Sequence, residues 1–322
     1  MTNRRNFLAT IAALATTSGA RAQAPAGPRI GWISYSAPGP ALDAFQEGMR
    51  ALGYAGRSAA SVEVRVVEPN PERVRAVLDE LQKLSVALIV CQAAIAPVAH
   101  RLNAGRVPLV FAFSGDPVVA GMVESFARPG GNSTGLSFLA LELVGKRLEV
   151  MKEIAPSVRR VAILANPQHP GEKAELKSSL DAAGRMGIQT SYIQILPGEA
   201  PDVAFERIRQ ERVQGIIVFQ DAGMVARGAR IAEFALRDRL LAVSGWASFA
   251  QAGFLATYGP NLNDAYRRLA TYADRLLKGA RADSLPVELP TRFELVVNMK
   301  TAKALGIAIP QSVLLRADEV IE

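Results

Sequence analysis

The sequence predicts an α/β protein of two similar lobes, each built on a parallel sheet, joined by a hinge of three chain crossings. Short apolar runs alternate with helical periodicity from Arg29 to Ser244, which is typical of βαβ units. The alternation restarts after a cluster of turn-forming residues at 127–132. A chain of 322 residues is also long for a single hydrophobic core.

The first half contains four predicted strands with helices between them. We expect the strands at residues 29–33, 62–67, 87–91 and 109–113. The first helix is indicated by the helical spacing of Leu42, Phe45 and Met49, and it ends at Gly53. A second helix covers residues 74–81, and a third starts within 92–97. Strict alternation favours a parallel sheet with right-handed crossovers.

The second half repeats this architecture but not the sequence. Helices are predicted over residues 142–154, 172–186, 203–211 and 225–238, and strands over 161–165, 190–195, 215–219 and 241–244. Further crossings are expected at residues 255–261 and 294–297, with Asn263 capping the helix between them. The predicted boundaries are 28–137 plus 259–290 for the first lobe and 138–258 plus 291–322 for the second.

The composition argues against several functional classes. The formal charge of +7 falls to +4 without the first 22 residues, because 34 basic and 30 acidic residues remain. Basic and acidic residues are interleaved, so nucleic-acid binding has little support. The single cysteine, Cys91, excludes an internal disulfide. Two histidines are too few for a His-based metal site, and no cofactor or metal is expected.

Residues 1–22 are predicted to be an export signal. The letters NRRNFL at residues 3–8 resemble a twin-arginine box, which marks proteins exported in the folded state. An Ala/Thr-rich apolar segment follows, and ARA at residues 20–22 predicts cleavage after Ala22. A Sec signal with a chance arginine pair is the alternative. Both interpretations place the mature protein in the periplasm.

The candidate site is a cleft at the carboxyl ends of the strands, where open α/β sheets bind ligands. Five loops that follow strands are expected to surround it, at residues 34–40, 92–97, 114–118, 166–171 and 220–223. The helix starts favour an anion, and the aromatic residues favour an apolar solute. The candidate ligand-binding residues are Ser34, Tyr35, Ser36, Gln92, Ala94, Ser114, Asp116, Asn166, Asp221, Trp246 and Tyr258.

Three of these candidates have an alternative, structural interpretation. Asp116 precedes Pro117, so it suits a turn or a helix cap as well as a ligand. Asn166 precedes Pro167 and is open to the same two interpretations. Asp221 follows a buried strand and is either a loop residue or the partner of a ligand ammonium.

Catalysis has little support in the sequence. There is no Gly-x-Ser-x-Gly elbow, no Cys/His pair in plausible register and no Walker A motif. A hydrolase that uses Asp116 and Asp221 as facing carboxylates is the alternative from a different class. We expect a non-enzymatic protein that binds a small molecule.

Several long motifs resemble the ABC-transporter substrate-binding proteins related to the tryptophan- and tyrosine-binding TrpX group. They are FAFSGDPVVAGMVESFARPGGNSTGLS at 111–137, LVGKRLEVMKEIAP at 143–156, YGPN at 258–261, LPVELPTRFELVVNMKTAKALG at 285–306 and RADEVIE at 316–322. The resemblance implies a type I periplasmic-binding-protein fold that closes on one small solute. It also implies a monomer with two partners, an amino acid or related zwitterion as the ligand and an ABC permease in the inner membrane. Presentation of the ligand to a membrane sensor is an alternative.

The chain departs from the family at the start of the third helix. Many relatives carry Gly-Thr-Pro there, whereas this chain has Ala93-Ala94-Ile95. The threonine hydroxyl is therefore missing at Ala94. This difference weakens the transfer of any particular ligand, including an aromatic amino acid.

Overall fold

The computed structural model describes residues 27–35, 39–139, 141–196 and 198–322. The predicted signal at 1–22 and the candidate Ser36 lie outside these residues. Among the described helices, none is both long enough and apolar enough to span a membrane.

The first sheet has five strands, all parallel, in the order β2-β1-β3-β4-β5. Their bounds are β1 Arg29–Ser34, β2 Ser61–Val66, β3 Leu88–Gln92, β4 Leu109–Phe113 and β5 Ser133–Ser137. The helices are α1 Pro40–Ala51, α2 Pro71–Lys83 and α3 Ile95–Asn103. Strands β3 and β4 are buried on both faces, because helices cover a parallel sheet on each side.

The second sheet has seven strands in the order β12-β11-β10-β9-β8-β6-β7. Its first four strands are β6 Arg160–Ala165, β7 Gln189–Gln194, β8 Gly215–Val218 and β9 Leu241–Ser244. The helices among them are α4 Glu142–Ile154, α5 Glu172–Arg185, α6 Asp202–Gln210, α7 Ala222–Ala226, α8 Gly228–Arg237 and α9 Ala247–Gln251.

The last third of the chain completes both lobes. It contains β10 Ala256–Pro260, α10 Leu262–Leu277, β11 Phe293–Asn298, α11 Met299–Leu305, α12 Gln311–Leu314 and β12 Glu319–Ile321. Helix α10 packs against α1 on the first sheet, where the ring of Tyr266 lies 6.0 Å from that of Trp32. Glu288 then pairs with Leu136 before β11 joins the second sheet. The predicted two-lobed α/β fold with three crossings is confirmed.

The structure corrects several local predictions. The helix expected at 225–238 is two helices, because α7 ends at Ala226 and α8 begins at Gly228. Asn261, not Asn263, caps α10, since its Oδ1 accepts a hydrogen bond of 2.9 Å from the N–H of Asp264. The second sheet is also not wholly parallel, because β10 and β11 run antiparallel.

Strand β5 was not predicted, because its sequence STGLS lacks the apolar character of a buried strand. Its polar side chains are nevertheless fully buried and find partners. Thr134 Oγ1 donates to the carbonyl of Leu285 at 2.6 Å, and Ser137 Oγ donates to that of Gly115 at 2.9 Å. These bonds compensate for the loss of water and tie β5 to the neighbouring segments.

Strand β10 approaches the backbone of the segment after β9 closely at Gly259. A Cβ at this position would lie 1.9 Å from the carbonyl oxygen of Gly245, which is backbone and has little freedom to move. We expect Gly259→Ala to lower the free energy of unfolding by about 1–3 kcal/mol. Gly184→Ala in α5, where a Cβ would meet nothing within 4 Å, should instead raise it by roughly 0.5–1 kcal/mol. Urea denaturation of both variants measures the difference, and equal stabilities would contradict the close approach.

Candidate functional site

Two adjoining cavities lie between the lobes. The first, called here the apolar compartment, is about 320 Å³, and its walls include Phe138, Val225, Trp246, Leu262 and Tyr266. The second, called the polar compartment, is about 430 Å³, and its walls include Arg101, Asn166, Gln168, His169 and Asp221. Tyr35, Ser114 and Ala222 line both, so the two compartments adjoin. Each volume falls in the usual range for small-molecule sites.

The structure brings most of the candidate residues to these compartments. Those that line one or both are Tyr35, Gln92, Ala94, Ser114, Asn166, Asp221 and Trp246. Ser34 is buried at the end of β1, with only 2% of its surface exposed, and is not part of either wall. Contact of these residues with a ligand stays a prediction.

Tyr258 lies outside the cleft, which corrects its predicted position. It occupies the middle of β10, and its ring packs against the core beneath α4. The ring lines a separate cavity of about 320 Å³ with Lys146, Glu149 and Phe293. Because side chains alternate along a strand, only the register decides which face each one meets.

The polar candidates in the loops have local structural roles. Asp116 Oδ1 accepts hydrogen bonds from the N–H groups of Val118 and Val119, at 2.8 and 3.2 Å. Asn166 Oδ1 accepts from the N–H of Gln168 at 3.0 Å. Both residues therefore have a structural role in their own loops, and Asn166 also lines the polar compartment. Asp116 is not among the residues that line either compartment, so the two carboxylates proposed for a hydrolase do not face one cavity.

Asp221 combines a structural role with a position on the polar compartment. Its Oδ1 accepts a hydrogen bond of 2.8 Å from the N–H of Met224 and thereby caps α7. Within the described parts of the chain, its Oδ2 accepts no hydrogen bond. The side chain is 7% exposed, so a cation that reaches it is largely shielded from water.

The two lobes touch across the polar compartment. Ser114 Oγ, after β4, lies 2.8 Å from Nε2 of His169, after β6. The backbone N–H of Asp116 donates to the carbonyl of Pro170 at 3.2 Å. A Cβ on Gly115 would lie only 2.3 Å from that same oxygen, so glycine permits the approach. We call these contacts between residues 114–116 and 169–171 the interlobe contact.

The environment of His169 favours its neutral form. Burial against Phe113, whose ring centroid lies 6.1 Å away, lowers the pKa of His169. The negative charge of Asp221 opposes this effect but does not reverse it. The interlobe contact therefore joins Ser114 to an uncharged imidazole at neutral pH.

A buried ion pair lies beneath the loops of the second lobe. Arg147 in α4 has no exposed surface, and its Nη1 donates to Glu175 Oε1 in α5 at 3.1 Å. Its Nε donates to the carbonyl of Tyr258 in β10 at 3.0 Å. Burial raises the pKa of Glu175, and the charge of Arg147 works against that rise. The negative charge of Asp221 also raises the pKa of Glu175.

Sequence reasoning missed several residues that shape the site. Arg147 falls four residues after Leu143 and four before Met151, both on the apolar face of α4. That spacing was the available sign that its charge is buried. His169 lay inside a predicted loop but was weighed only as a metal ligand. Tyr266 in α10 was not among the candidate residues, yet it lines the apolar compartment.

The sequence profile of the ABC transporter substrate-binding proteins matches residues 32–321. The chain belongs to this family. Its members bind solutes and are not enzymes, in agreement with the sequence prediction and against the hydrolase alternative.

Individual relatives are more distant. A tyrosine-binding protein of Clostridioides difficile is 23% identical over 200 residues, which span 62% of this chain and 57% of that protein. The match therefore covers less than two thirds of the curated relative. The structure of an ABC domain in complex with L-Trp from Streptococcus pneumonia is 21% identical, with a TM-score of 0.82 over 92% of this chain and 100% of that one. A conserved domain protein from Vibrio cholerae is 24% identical, with a TM-score of 0.81 over 91% and 99%. These likenesses confirm the fold of the substrate-binding protein.

The interlobe contact should weaken in acid. Because the pKa of His169 is lowered in the closed form, the open form takes up a proton first. The closed form therefore has its full stability relative to the open form above the ordinary imidazole pKa of about 6.5. It loses this stability as the pH falls from there to the lowered pKa of His169. We expect the radius of gyration from X-ray scattering to be larger at pH 5 than at pH 7.5.

A matched pair of variants tests the assignment to His169. His169→Gln should remove the dependence on pH. The control is His100→Gln, because His100 forms the same kind of pair, with Nδ1 2.8 Å from Ser133 Oγ, but inside the first lobe. His100 and His169 are the only histidines of the chain. An unchanged radius in the wild-type protein across this range would contradict the prediction.

Proposed function

We propose that this substrate-binding protein closes on a small zwitterionic solute with an apolar or aromatic side chain and delivers it to an ABC permease of the inner membrane. The main support for the proposal is that the apolar and polar compartments adjoin. One cleft offers the Asp221 carboxylate in its polar part and aromatic walls in its apolar part. An amino acid has the same division between a charged end and an apolar end.

The buried carboxylate of Asp221 in the polar compartment supports an ammonium group. Asp221 Oδ2 accepts no hydrogen bond within the described chain, and burial limits its screening. The start of α3 supports the carboxylate of the same solute. Its N-cap, Ala94, provides no side-chain hydrogen bond, and Pro97 in the first turn has no N–H, so the N–H groups of Ala94 and Ile95 are the ones left for an anion.

The relatives support the same class of ligand. One is named as a tyrosine-binding protein, and another was solved with L-Trp. We propose an aromatic amino acid or a related zwitterion here, with Trp246 and Tyr266 beside its side chain. The units that close would be residues 28–137 with 259–290 and residues 138–258 with 291–322.

Asp221→Asn should abolish measurable binding of an amine-bearing solute. The amide keeps the Oδ1 acceptor that caps α7, so the local fold should survive while the charge is lost. Leaving a buried ammonium unpaired typically costs about 2–5 kcal/mol, or roughly thirty- to several-thousand-fold in affinity. Calorimetric titration with the molecule found by native mass spectrometry of the purified protein measures the effect.

Asp116→Asn is the matched control for this experiment. Asp116 also accepts backbone hydrogen bonds at the start of a loop, but it does not line the compartments. Its affinity should stay close to that of the wild-type protein. Wild-type affinity in Asp221→Asn, or a natural solute with no amine, would refute the anchoring role.

We further propose that residues 1–22 direct the folded protein to the periplasm by the twin-arginine route. The support is the spacing of Arg4, Arg5, Phe7 and Leu8 in the sequence. Changing Arg4 and Arg5 together to Lys should leave a folded precursor in the cytoplasm, detected by cell fractionation. Normal export of that variant would instead indicate the Sec route.

A further inference from the structure

We infer that the polar compartment binds a solute whose anionic group is set apart from its ammonium, as in a dipeptide, and that Arg101 binds this anionic group. The inference rests on the proposed function, because it concerns the polar end of the same solute. It goes further by separating the two charged groups of the solute and by assigning a residue to the second one.

One face of helix α3 forms a wall of the polar compartment. Ala94, Pro97, Val98 and Arg101 all line it, and their spacing places them on the same side of the helix. Because an α-helix rises about 1.5 Å per residue, this wall extends for about 10 Å from the helix start to Arg101. The backbone N–H groups at the start of α3 and the Arg101 guanidinium are therefore separate places at which a solute can be bound.

The polar compartment has a buried inner end and an exposed outer end. Ser114 and Asp221 are buried, and both Ser114 and Ala222 also line the apolar compartment, so the two compartments adjoin at the inner end. Arg101 and Gln168 are exposed and mark the outer end. The cleft therefore presents aromatic walls, then the Asp221 carboxylate, and then the Arg101 guanidinium at its mouth.

Arg101 and Asp221 carry opposite charges on opposite sides of the cleft. Arg101 lies in α3 on the first sheet, and Asp221 follows β8 of the second. Within the described parts of the chain neither side chain forms an ion pair, and the Arg101 guanidinium makes no hydrogen bond. A solute that carries an ammonium and a carboxylate would compensate both charges and join the two lobes through charge-assisted hydrogen bonds.

The polar compartment is larger than the polar end of a free amino acid. Its volume is about 430 Å³. The ammonium, the α-carbon and the carboxylate of an amino acid comprise five heavy atoms, which need about 150 Å³ in total if each takes roughly the volume share of one water in the liquid. The remaining space accommodates a second residue, whose carboxylate would lie at the outer end beside Arg101. The peptide carbonyl would then lie near the N–H groups at the start of α3.

The test is calorimetric titration of the purified protein with L-phenylalanine, with the dipeptide L-phenylalanylglycine and with the C-terminal amide of that dipeptide. All three carry the same aromatic group and an ammonium, but only the dipeptide has a carboxylate that is set apart from the ammonium. We expect the dipeptide to bind about three- to tenfold more tightly than either of the others. The expected gain is modest, because Arg101 is exposed to solvent.

Arg101→Gln removes the charge and keeps a polar side chain. It should weaken binding of the dipeptide by about three- to tenfold and leave binding of the amide unchanged, so that the two bind equally. A general disturbance of α3 would weaken both instead. Arg101→Lys keeps the charge and should retain part of the preference for the dipeptide. Added salt should reduce this preference in the wild-type protein, because exposed charges are screened.

Arg75→Gln is the matched control. Arg75 is an exposed arginine of α2 that forms no ion pair within the described chain and lines neither compartment. Its affinities for the dipeptide and for the amide should equal those of the wild-type protein. Thermal unfolding of both glutamine variants checks that their fold is intact.

The outcomes separate the inference from the proposed function. Binding of L-phenylalanine with no gain for the dipeptide would overturn the inference but leave a zwitterion-binding function intact. An equal loss for the dipeptide and its amide in Arg101→Gln, or no loss for either, would overturn the assignment of Arg101. Failure of all three solutes to bind would overturn the proposed ligand class and the inference with it.

Discussion

The guanidinium of Arg147 is the interaction on which the cleft side of the second lobe depends. It joins α4 to Glu175 in α5 and to the Tyr258 carbonyl in β10, and a Cβ on Gly245 would lie 2.6 Å from its Nη2. The segments around this one charge lead into the loops that carry His169 and Trp246. Removing one member of a buried pair typically costs about 3–5 kcal/mol, so the loops are anchored by a contact that tolerates little change.

The same cluster brings three acidic side chains close together. Glu172, Glu175 and Asp221 lie close enough for the other two carboxylates to raise the pKa of Glu175, while the charge of Arg147 lowers it. Tyr192 donates a hydrogen bond to Glu172 but brings no charge. Arg101 also lines the polar compartment, so it is the buried carboxylate of Asp221, and not the charge of the compartment as a whole, that favours an ammonium.

The sequence predicted the sheet strands well where burial on both faces produces an apolar run, as in β4 and β6. It missed β5, because polar side chains there are satisfied by partners that only the folded chain supplies. The prediction of the site residues is limited in the same way, because their partners are known only in the folded chain. Which loops meet follows from the order of strands and helices, whereas the orientation of Tyr258 depends on the register of β10. The spacing of Arg147 on the apolar face of α4 indicates its burial, whereas its partners in α5 and β10 depend on the packing.

Closure and selection are carried by different parts of the cleft. The interlobe contact is made by protein atoms alone, through Ser114, His169 and the backbone of residues 116 and 170. These bonds contribute to the stability of the closed form whatever solute lies inside, so a solute has to supply only part of the free energy of closure. A contact common to all solutes cannot discriminate between them. Discrimination must then come from groups whose contacts differ from one solute to another, which are the Asp221 carboxylate at one end and the aromatic walls of the apolar compartment at the other.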